Sequence, residues 1–96
     1  MRTCYLVTYD ICDPKRLAKV YKTMRGFGDH LQDSVFRCEL SEIEKVKLLA
    51  ALDPLLHHRE DQVLLVDVGP ADGRSQTAFS ALGLPYTHSE RHAVVI

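Results

Sequence analysis

Residues 3–26, TCYLVTYDICDPKRLAKVYKTMRG, change from a strand pattern to a helix pattern within a few residues, which predicts a strand followed directly by a helix. Residues 3–11 are rich in β-branched and aromatic side chains and are apolar on both sides as far as Tyr9, which is typical of a central strand covered on both faces. Asp13 and Pro14 predict a helix start, since aspartate caps free amides and proline suits the first helical position. An apolar stripe follows at helical spacing: Leu17, Val20, Tyr21 and Met24.

The next segment predicts a hairpin. Gly26 and Gly28 end the helix, and residues 30–40 read as two extended pieces with a tight connection around Asp33. The second piece shows the alternation of a half-buried strand. Its apolar residues are Phe36, Cys38 and Leu40, and its polar residues are Arg37 and Glu39.

A second helix and further strands follow. Residues 41–44, SEIE, form a capping box, and we expect this helix to end or kink near Asp53, because Pro54 cannot continue it. Its predicted buried side is Val46, Leu49, Ala50 and Leu52. Residues 62–68 predict a strand that Gly69-Pro70 stops. The later segments predict a short helix over residues 75–82, ended by Gly83, and a last strand over residues 92–96.

The order strand, helix, strand, strand, helix, strand is the ferredoxin-like βαββαβ arrangement, an α+β fold. We predict one domain over residues 1–96, with the βαββαβ core in residues 1–69 and a tail in residues 70–96. The tail strand could add to a sheet edge, either its own or that of a second copy. Both helices lie on one face of the sheet, so the open apolar face predicts a partner in so short a chain.

Composition narrows the class of protein. The chain carries a net charge of −1, three cysteines and no apolar run long enough to span a membrane. An odd number of cysteines without a CxxC pair argues against a disulfide framework, and free buried cysteines fit a reducing cytoplasm. Cys12 lies near Asp10 and could be a reactive thiol, but no histidine is its neighbour in sequence, so we expect a small packing residue there. The charges are unevenly distributed: residues 14–28 hold five basic residues and no acid. One basic face could therefore bind nucleic acid, although a solvated helix face is the common alternative.

Asp10 is the candidate functional residue, since it closes a buried apolar strand. A carboxylate there needs solvent, a partner or a metal, and oxygen ligands suit Mg²⁺. The alternative is that Asp10 only caps the loop amides before the helix. Spacing alone leaves these two interpretations even.

The chain resembles the small CRISPR-associated endonuclease family, the smaller of the two proteins shared by most CRISPR spacer-acquisition systems. The resemblance covers Tyr5 to about Gly69 and is carried by a set of short motifs in order: Tyr9-Asp10-Ile11, Asp13, Arg16, Gly28, Gln32 and Ser34-Val35-Phe36. It implies a homodimer formed through the open sheet faces, with the two Asp10 carboxylates facing each other and a Mg²⁺, or Mn²⁺ in its place, between them. It also implies phosphodiester hydrolysis of RNA or DNA during spacer acquisition.

The resemblance suggests a role for each residue. Asp10 would bind the metal, Tyr9 could orient substrate or simply pack, and Arg16 could clamp a phosphate or remain a surface arginine. Asp13 is a helix cap first, and Phe36 fits the core or the dimer interface. The predicted nucleic-acid-binding residues are Lys15, Arg16, Lys19 and Lys22. A non-catalytic DNA-binding bridge for the CRISPR integrase is the main alternative, with a small-molecule sensor and a toxin-type ribonuclease behind it.

Overall fold

The computed structural model describes residues 1–85 and the strand of residues 93–95. It contains a four-stranded antiparallel sheet in the order β2-β3-β1-β4, and β1 therefore lies between β3 and β4. This is the ferredoxin-like α+β fold that the sequence predicts. The main elements are β1 (Thr3–Asp10), α1 (Pro14–Arg25), β2 (Asp29–Gln32), β3 (Val35–Leu40), α2 (Glu42–Leu52) and β4 (Gln62–Pro70).

The helix boundaries follow the capping residues that the sequence shows. The Asp13 carboxylate accepts a hydrogen bond from the backbone N–H of Arg16 at 2.9 Å, and Pro14 takes the first helical position. The capping box of α2 is complete, because Ser41 and Glu44 each accept from the other's backbone N–H. A 3-10 turn over Asp53–Leu55 follows α2 directly, which confirms the predicted end.

The core lies between the two helices and one face of the sheet. Ten buried residues form it: Tyr5, Val7, Tyr9, Val20, Met24, Phe36, Cys38, Leu40, Leu48 and Leu52. The predicted buried side of α2 is largely wrong, because Val46 is 64% exposed and Leu49 is 44% exposed, and Ala50 is exposed as well. Leu48 takes their place in the core. Apolar residues occur almost all round α2, so spacing alone does not select the side that meets the sheet.

The face of the sheet away from the helices is only partly open. Leu64 and Val66 on β4 remain 49% and 47% exposed, whereas the tail covers β3. Arg37, which strand alternation places toward solvent, is fully buried, and this expectation is therefore wrong. Its Nη2 donates to the carbonyl oxygen of Ser75 at 3.2 Å, and its guanidinium lies 5.0 Å from the centre of the Phe79 ring.

The tail also differs from the expected helix. A 3-10 turn over Arg74–Thr77 leads into β5 (Phe79–Ala81), and β5 pairs in parallel with β6 (Ala93–Val95) in a separate two-stranded sheet. His92 and Ile96, the ends of the predicted last strand, lie outside the described residues. Exchange of this strand between two copies stays a prediction.

The outer strand β4 is longer than predicted. It continues to Pro70 instead of stopping at Val68, because a bulge between Cys4 and Tyr5 lets β1 pair with it as far as Thr3. Within the described part of the chain, no strand pairs with the outer side of β4. Near its end, the Asp67 carboxylate accepts from the backbone N–H of Gly69 at 2.8 Å.

The cysteines fall into two groups. Cys4 and Cys38 are buried and form no disulfide bond, as expected. Cys12 is exposed, and its Sγ donates to the carbonyl oxygen of Glu60 at 2.9 Å. The expectation that Cys12 is a packing residue is therefore wrong, because it lies in the loop between β1 and α1. No helix in the described residues is long and apolar enough to cross a membrane.

Candidate functional site

Asp10 is the last residue of β1 and is exposed to solvent. It lies opposite Gln62, the first residue of β4. Because strand side chains alternate between faces, Asp10 shares a face with Leu6 and Thr8 and projects away from the helices. The carboxylate therefore stands at one end of the sheet face that carries the exposed Leu64 and Val66.

The loop amides next to Asp10 are held by other carboxylates. Asp13 binds the backbone N–H of Arg16, and Asp61 accepts from the backbone N–H of Cys12 at 2.9 Å. This arrangement favours the interpretation of Asp10 as a ligand or reacting group over its interpretation as a loop cap.

The ligands that a single chain supplies limit which metal it can hold. Across residues 1–85 and 93–95, no three His, Cys, Asp or Glu side chains come together as a metal cluster. Mg²⁺ keeps several waters and is commonly held through one or two carboxylates. One exposed Asp10 supplies one such ligand, so the residues fit Mg²⁺ when a second carboxylate comes from outside the chain.

Arg16 is engaged within the chain. Its Nε donates to Asp61 Oδ2 at 2.7 Å, and its Nη2 donates to Asp61 Oδ1 at 3.2 Å and to Glu60 Oε1 at 3.1 Å. The Asp61 side chain is fully buried and also accepts from the backbone N–H of His57 at 2.8 Å. The hydrogen bonds from Arg16, and then those from the two backbone amides, hold the pKa of Asp61 well below its ordinary value.

This Arg16–Asp61 pair connects the segments on both sides of the candidate site. Arg16 follows the loop after Asp10, and Asp61 precedes Gln62, the partner of Asp10 on β4. The pair therefore positions the loop beside Asp10. Asp61 was not among the residues predicted from the sequence. A usable signal was present, because the adjacent acidic residues Glu60 and Asp61 directly precede β4, the strand that pairs with β1.

Tyr9 lies on the opposite face of β1 from Asp10. It is 5% exposed and stacks on Phe36, with ring centroids 6.2 Å apart. Its backbone N–H donates to the carbonyl oxygen of Ser34 at 3.1 Å. Burial, and to a smaller degree Tyr21, raises the pKa of its hydroxyl. Tyr9 and Asp10 therefore project from opposite faces of the sheet, and Arg16 donates to Asp61 and Glu60.

The predicted nucleic-acid-binding lysines lie along α1. Lys15, Lys19 and Lys22 are all exposed, and their spacing of four and three residues puts them on one side of the helix. The opposite side of the helix, with Val20 and Met24, is buried against the sheet. The three lysines therefore project away from the sheet face that carries Asp10.

Comparison with known proteins gives a consistent result. A family model described as "CRISPR associated protein Cas2" matches residues 2–74. The chain is 40% identical over its full length, and over the full length of the relative, to a protein named CRISPR-associated endoribonuclease Cas2 from Geobacter sulfurreducens. It is 37% identical to a protein of the same name from Thermus thermophilus, covering 80% of this chain and 82% of the relative.

Solved structures of similar proteins share this fold. The crystal structure of Cas2 from Streptococcus pyogenes aligns with a TM-score of 0.65 and 31% identity, covering 69% of this chain and 86% of that one. A structure of hypothetical protein TT1823 from Thermus thermophilus aligns with a TM-score of 0.70 and 30% identity, covering 72% of this chain and 84% of that one.

Proposed function

Because the chain belongs to the family of CRISPR-associated Cas2 proteins, we propose that it is a metal-dependent endonuclease that hydrolyses phosphodiester bonds in RNA or DNA during spacer acquisition. The observation that carries this proposal is the exposed carboxylate of Asp10 at the end of a central strand. The endoribonuclease names of the relatives support RNA as the first substrate to test. Buried, unpaired Cys4 and Cys38 favour a reducing cytoplasm as the location.

A homodimer would complete the site. Leu64 and Val66 form an exposed apolar surface on the sheet face that Asp10 shares. Two copies that pack these surfaces about a two-fold axis bury apolar area and bring equivalent residues of each copy together. A second carboxylate for the Mg²⁺ site would then come from Asp10 of the partner subunit.

The residues of this chain take distinct parts in the proposed reaction. A bound Mg²⁺, or Mn²⁺, would polarise the scissile phosphate and promote formation of hydroxide from water. Asp10 would hold that ion, and Lys15, Lys19 and Lys22, which project from the other side of the sheet, would bind phosphates of the nucleic acid away from the scissile bond. Arg16 acts through Asp61 as a positioning residue, since its Nε and Nη2 already donate to Asp61 and Glu60 within the chain.

The catalytic claim is tested by comparing Asp10→Asn with the wild type in a nuclease assay on RNA and DNA with and without Mg²⁺. We expect cleavage that requires the metal and is lost in the variant. Asp72→Asn is the matched control, because Asp72 is an exposed aspartate in the turn after β4. Equal cleavage by the wild type and Asp10→Asn would refute a role for Asp10 in the chemistry.

A second function is favoured by the placement of the lysines. Because Lys15, Lys19 and Lys22 project away from the face of Asp10, the chain can bind a duplex without presenting it to the carboxylates. A dimer would then serve as a DNA-holding bridge for the CRISPR integrase.

Spacer acquisition in cells separates the two functions. A bridge requires the lysines and not the carboxylate, so acquisition should survive Asp10→Ala and fail when Lys15, Lys19 and Lys22 are all replaced by Gln. Lys47→Gln, an exposed lysine of α2, is the control. Loss of acquisition in Asp10→Ala with DNA binding intact would favour the nuclease instead.

A further inference from the structure

A cavity of about 490 Å³ lies between the first half of α1 and the turn that connects β2 and β3. This α1 cavity is separate from Asp10, which projects from the other face of the sheet. Leu17, Ala18 and Tyr21 line it from the helix, and Asp33 and Ser34 line it from the turn. Its volume falls within the range of about 300–1,000 Å³ that is typical of small-ligand pockets.

Tyr9 lines the same cavity and is the buried member of its walls. Among the described residues, its buried hydroxyl has no hydrogen-bond partner. A buried polar group without a partner costs free energy, and a ligand that shifts the cavity wall enough to bring an acceptor to this hydroxyl would recover that cost. Burial also raises the pKa of this hydroxyl, so it remains a donor at neutral pH.

The walls and the rim differ in chemistry. Leu17, Ala18 and Tyr21 supply apolar and aromatic surface, whereas Asp33 and Ser34 are the polar residues of the lining, at the turn. Arg25 adds positive charge beside the cavity, since its guanidinium lies 5.9 Å from the centre of the Tyr21 ring. The cavity thus offers apolar and aromatic surface, polar residues and a nearby positive charge. A planar group that forms hydrogen bonds and is attached to a negatively charged chain fits all three.

We propose that the α1 cavity binds an unpaired nucleobase of the bound nucleic acid. The inference rests on the proposed function, because it assigns the cavity to the same substrate. A base that is paired within a duplex is stacked and cannot enter a pocket, so the proposal makes single-stranded or frayed nucleic acid the preferred substrate. The Asp33 carboxylate accepts from exocyclic amino groups, which favours adenine, guanine or cytosine over uracil and thymine.

The test measures binding without cleavage. A short thymidine strand with one 2-aminopurine, a fluorescent base with an amino group, is titrated with the protein in the presence of a chelator. Ala18→Leu fills the cavity from an exposed helical position, and Ala50→Leu makes the same change on the exposed side of α2. Tyr9→Phe removes only the hydroxyl.

We expect the wild type and Ala50→Leu to bind the 2-aminopurine strand at least fivefold more tightly than the plain thymidine strand, because only 2-aminopurine offers an exocyclic amino group to the Asp33 carboxylate. Ala18→Leu should lose that preference, and Tyr9→Phe should weaken binding by about fivefold to tenfold. The duplex form of the probe should show no preference.

Three results would overturn the proposal. They are an unchanged preference in Ala18→Leu, an equal fluorescence response from the duplex probe, and equally tight binding of free 2-aminopurine riboside, which would assign the cavity to a free nucleoside. Cleavage with Mg²⁺ is measured on the same proteins. Absence of cleavage with the binding preference intact rejects the nuclease and retains the pocket, whereas intact cleavage without the preference rejects the pocket alone.

Discussion

Replacing Gly28 by alanine should strongly destabilise the fold, because the added methyl group has no room. An ideal Cβ at this position lies 2.4 Å from the Cys38 sulfur and 2.5 Å from the carbonyl oxygen of Arg37. Ordinary contact begins at 3.4 Å, so the two segments must separate by about 1 Å. Gly28 also belongs to the motif set that resembles the family, and this close approach is a physical reason for glycine there.

Displacing either obstacle costs considerable free energy. The Cys38 side chain is fully buried, and the Arg37 backbone lies in β3, opposite Leu6 of the central strand. Overpacking typically costs about 1–3 kcal/mol, and a backbone obstacle favours the upper end, about 3 kcal/mol. Each kcal/mol lowers the Tm of a domain of this size by about 4–8 °C, so we expect a decrease of roughly 12–24 °C.

Urea unfolding at fixed protein concentration measures this cost, because the stability of any dimer depends on concentration. Circular dichroism and tyrosine fluorescence both report it, since the chain has four tyrosines and no tryptophan. Gly26→Ala is the control, because Gly26 has helical dihedral angles (φ −79°, ψ −10°) and its Cβ would meet its nearest neighbour, the Thr23 carbonyl oxygen, at 3.3 Å. That variant should stay within about 1 kcal/mol of the wild type.

A double variant separates the two clashes. Cys38→Ala removes the sulfur but leaves the Arg37 carbonyl oxygen, so adding it to Gly28→Ala should not restore the wild-type midpoint. A Gly28→Ala protein that unfolds at the same urea concentration as the wild type would refute the packing argument.

Three further predictions rest on other contacts of the fold. Because Arg16 holds the pKa of Asp61 below its ordinary value, the unfolded chain takes up a proton at Asp61 before the folded chain does as pH falls, and the free energy of unfolding decreases as pH falls through about 4. Urea unfolding over this pH range should show a smaller decrease for Asp61→Asn than for the wild type. Equal decreases in the two proteins would contradict the prediction. Tyr9→Phe should raise the free energy of unfolding by about 1 kcal/mol, since it removes a buried hydroxyl without a partner in the described residues, and calorimetry checks it. A thiol reagent at neutral pH should modify exposed Cys12 rapidly and spare Cys38, whose pKa burial raises to about 12; modification of Cys38 in the folded protein would be the opposing result.

The parts of the fold that local chemistry determines could be predicted from the sequence. The capping residues Asp13 and Ser41, together with Pro54, set the helix boundaries, and alternation located the hairpin strands. These signals act over a few residues, so they do not depend on how the elements pack.

The parts that depend on distant contacts could not be predicted. Arg37 reads as a solvent-facing strand residue, and only the tail, through Ser75, buries it. Val46 and Leu48 are equally apolar, and the position of α2 on the sheet decides which is buried. Of the candidate site, Asp10 was identified from its strand end, but its neighbour Asp61 lies far along the chain and pairs with Arg16 only in the folded state.

The outer side of β4 affects how the protein should be handled. Unpaired backbone groups along this nine-residue strand can template hydrogen bonding with another chain, and its exposed Leu64 and Val66 would add to the attachment. The charge of Asp67 and the absence of an N–H on Pro70 act against such uncontrolled growth, because each interrupts a continuous ladder. Replacing Asp67 by Asn removes that charge, so aggregation on concentration at neutral pH should increase in this variant, as light scattering would measure.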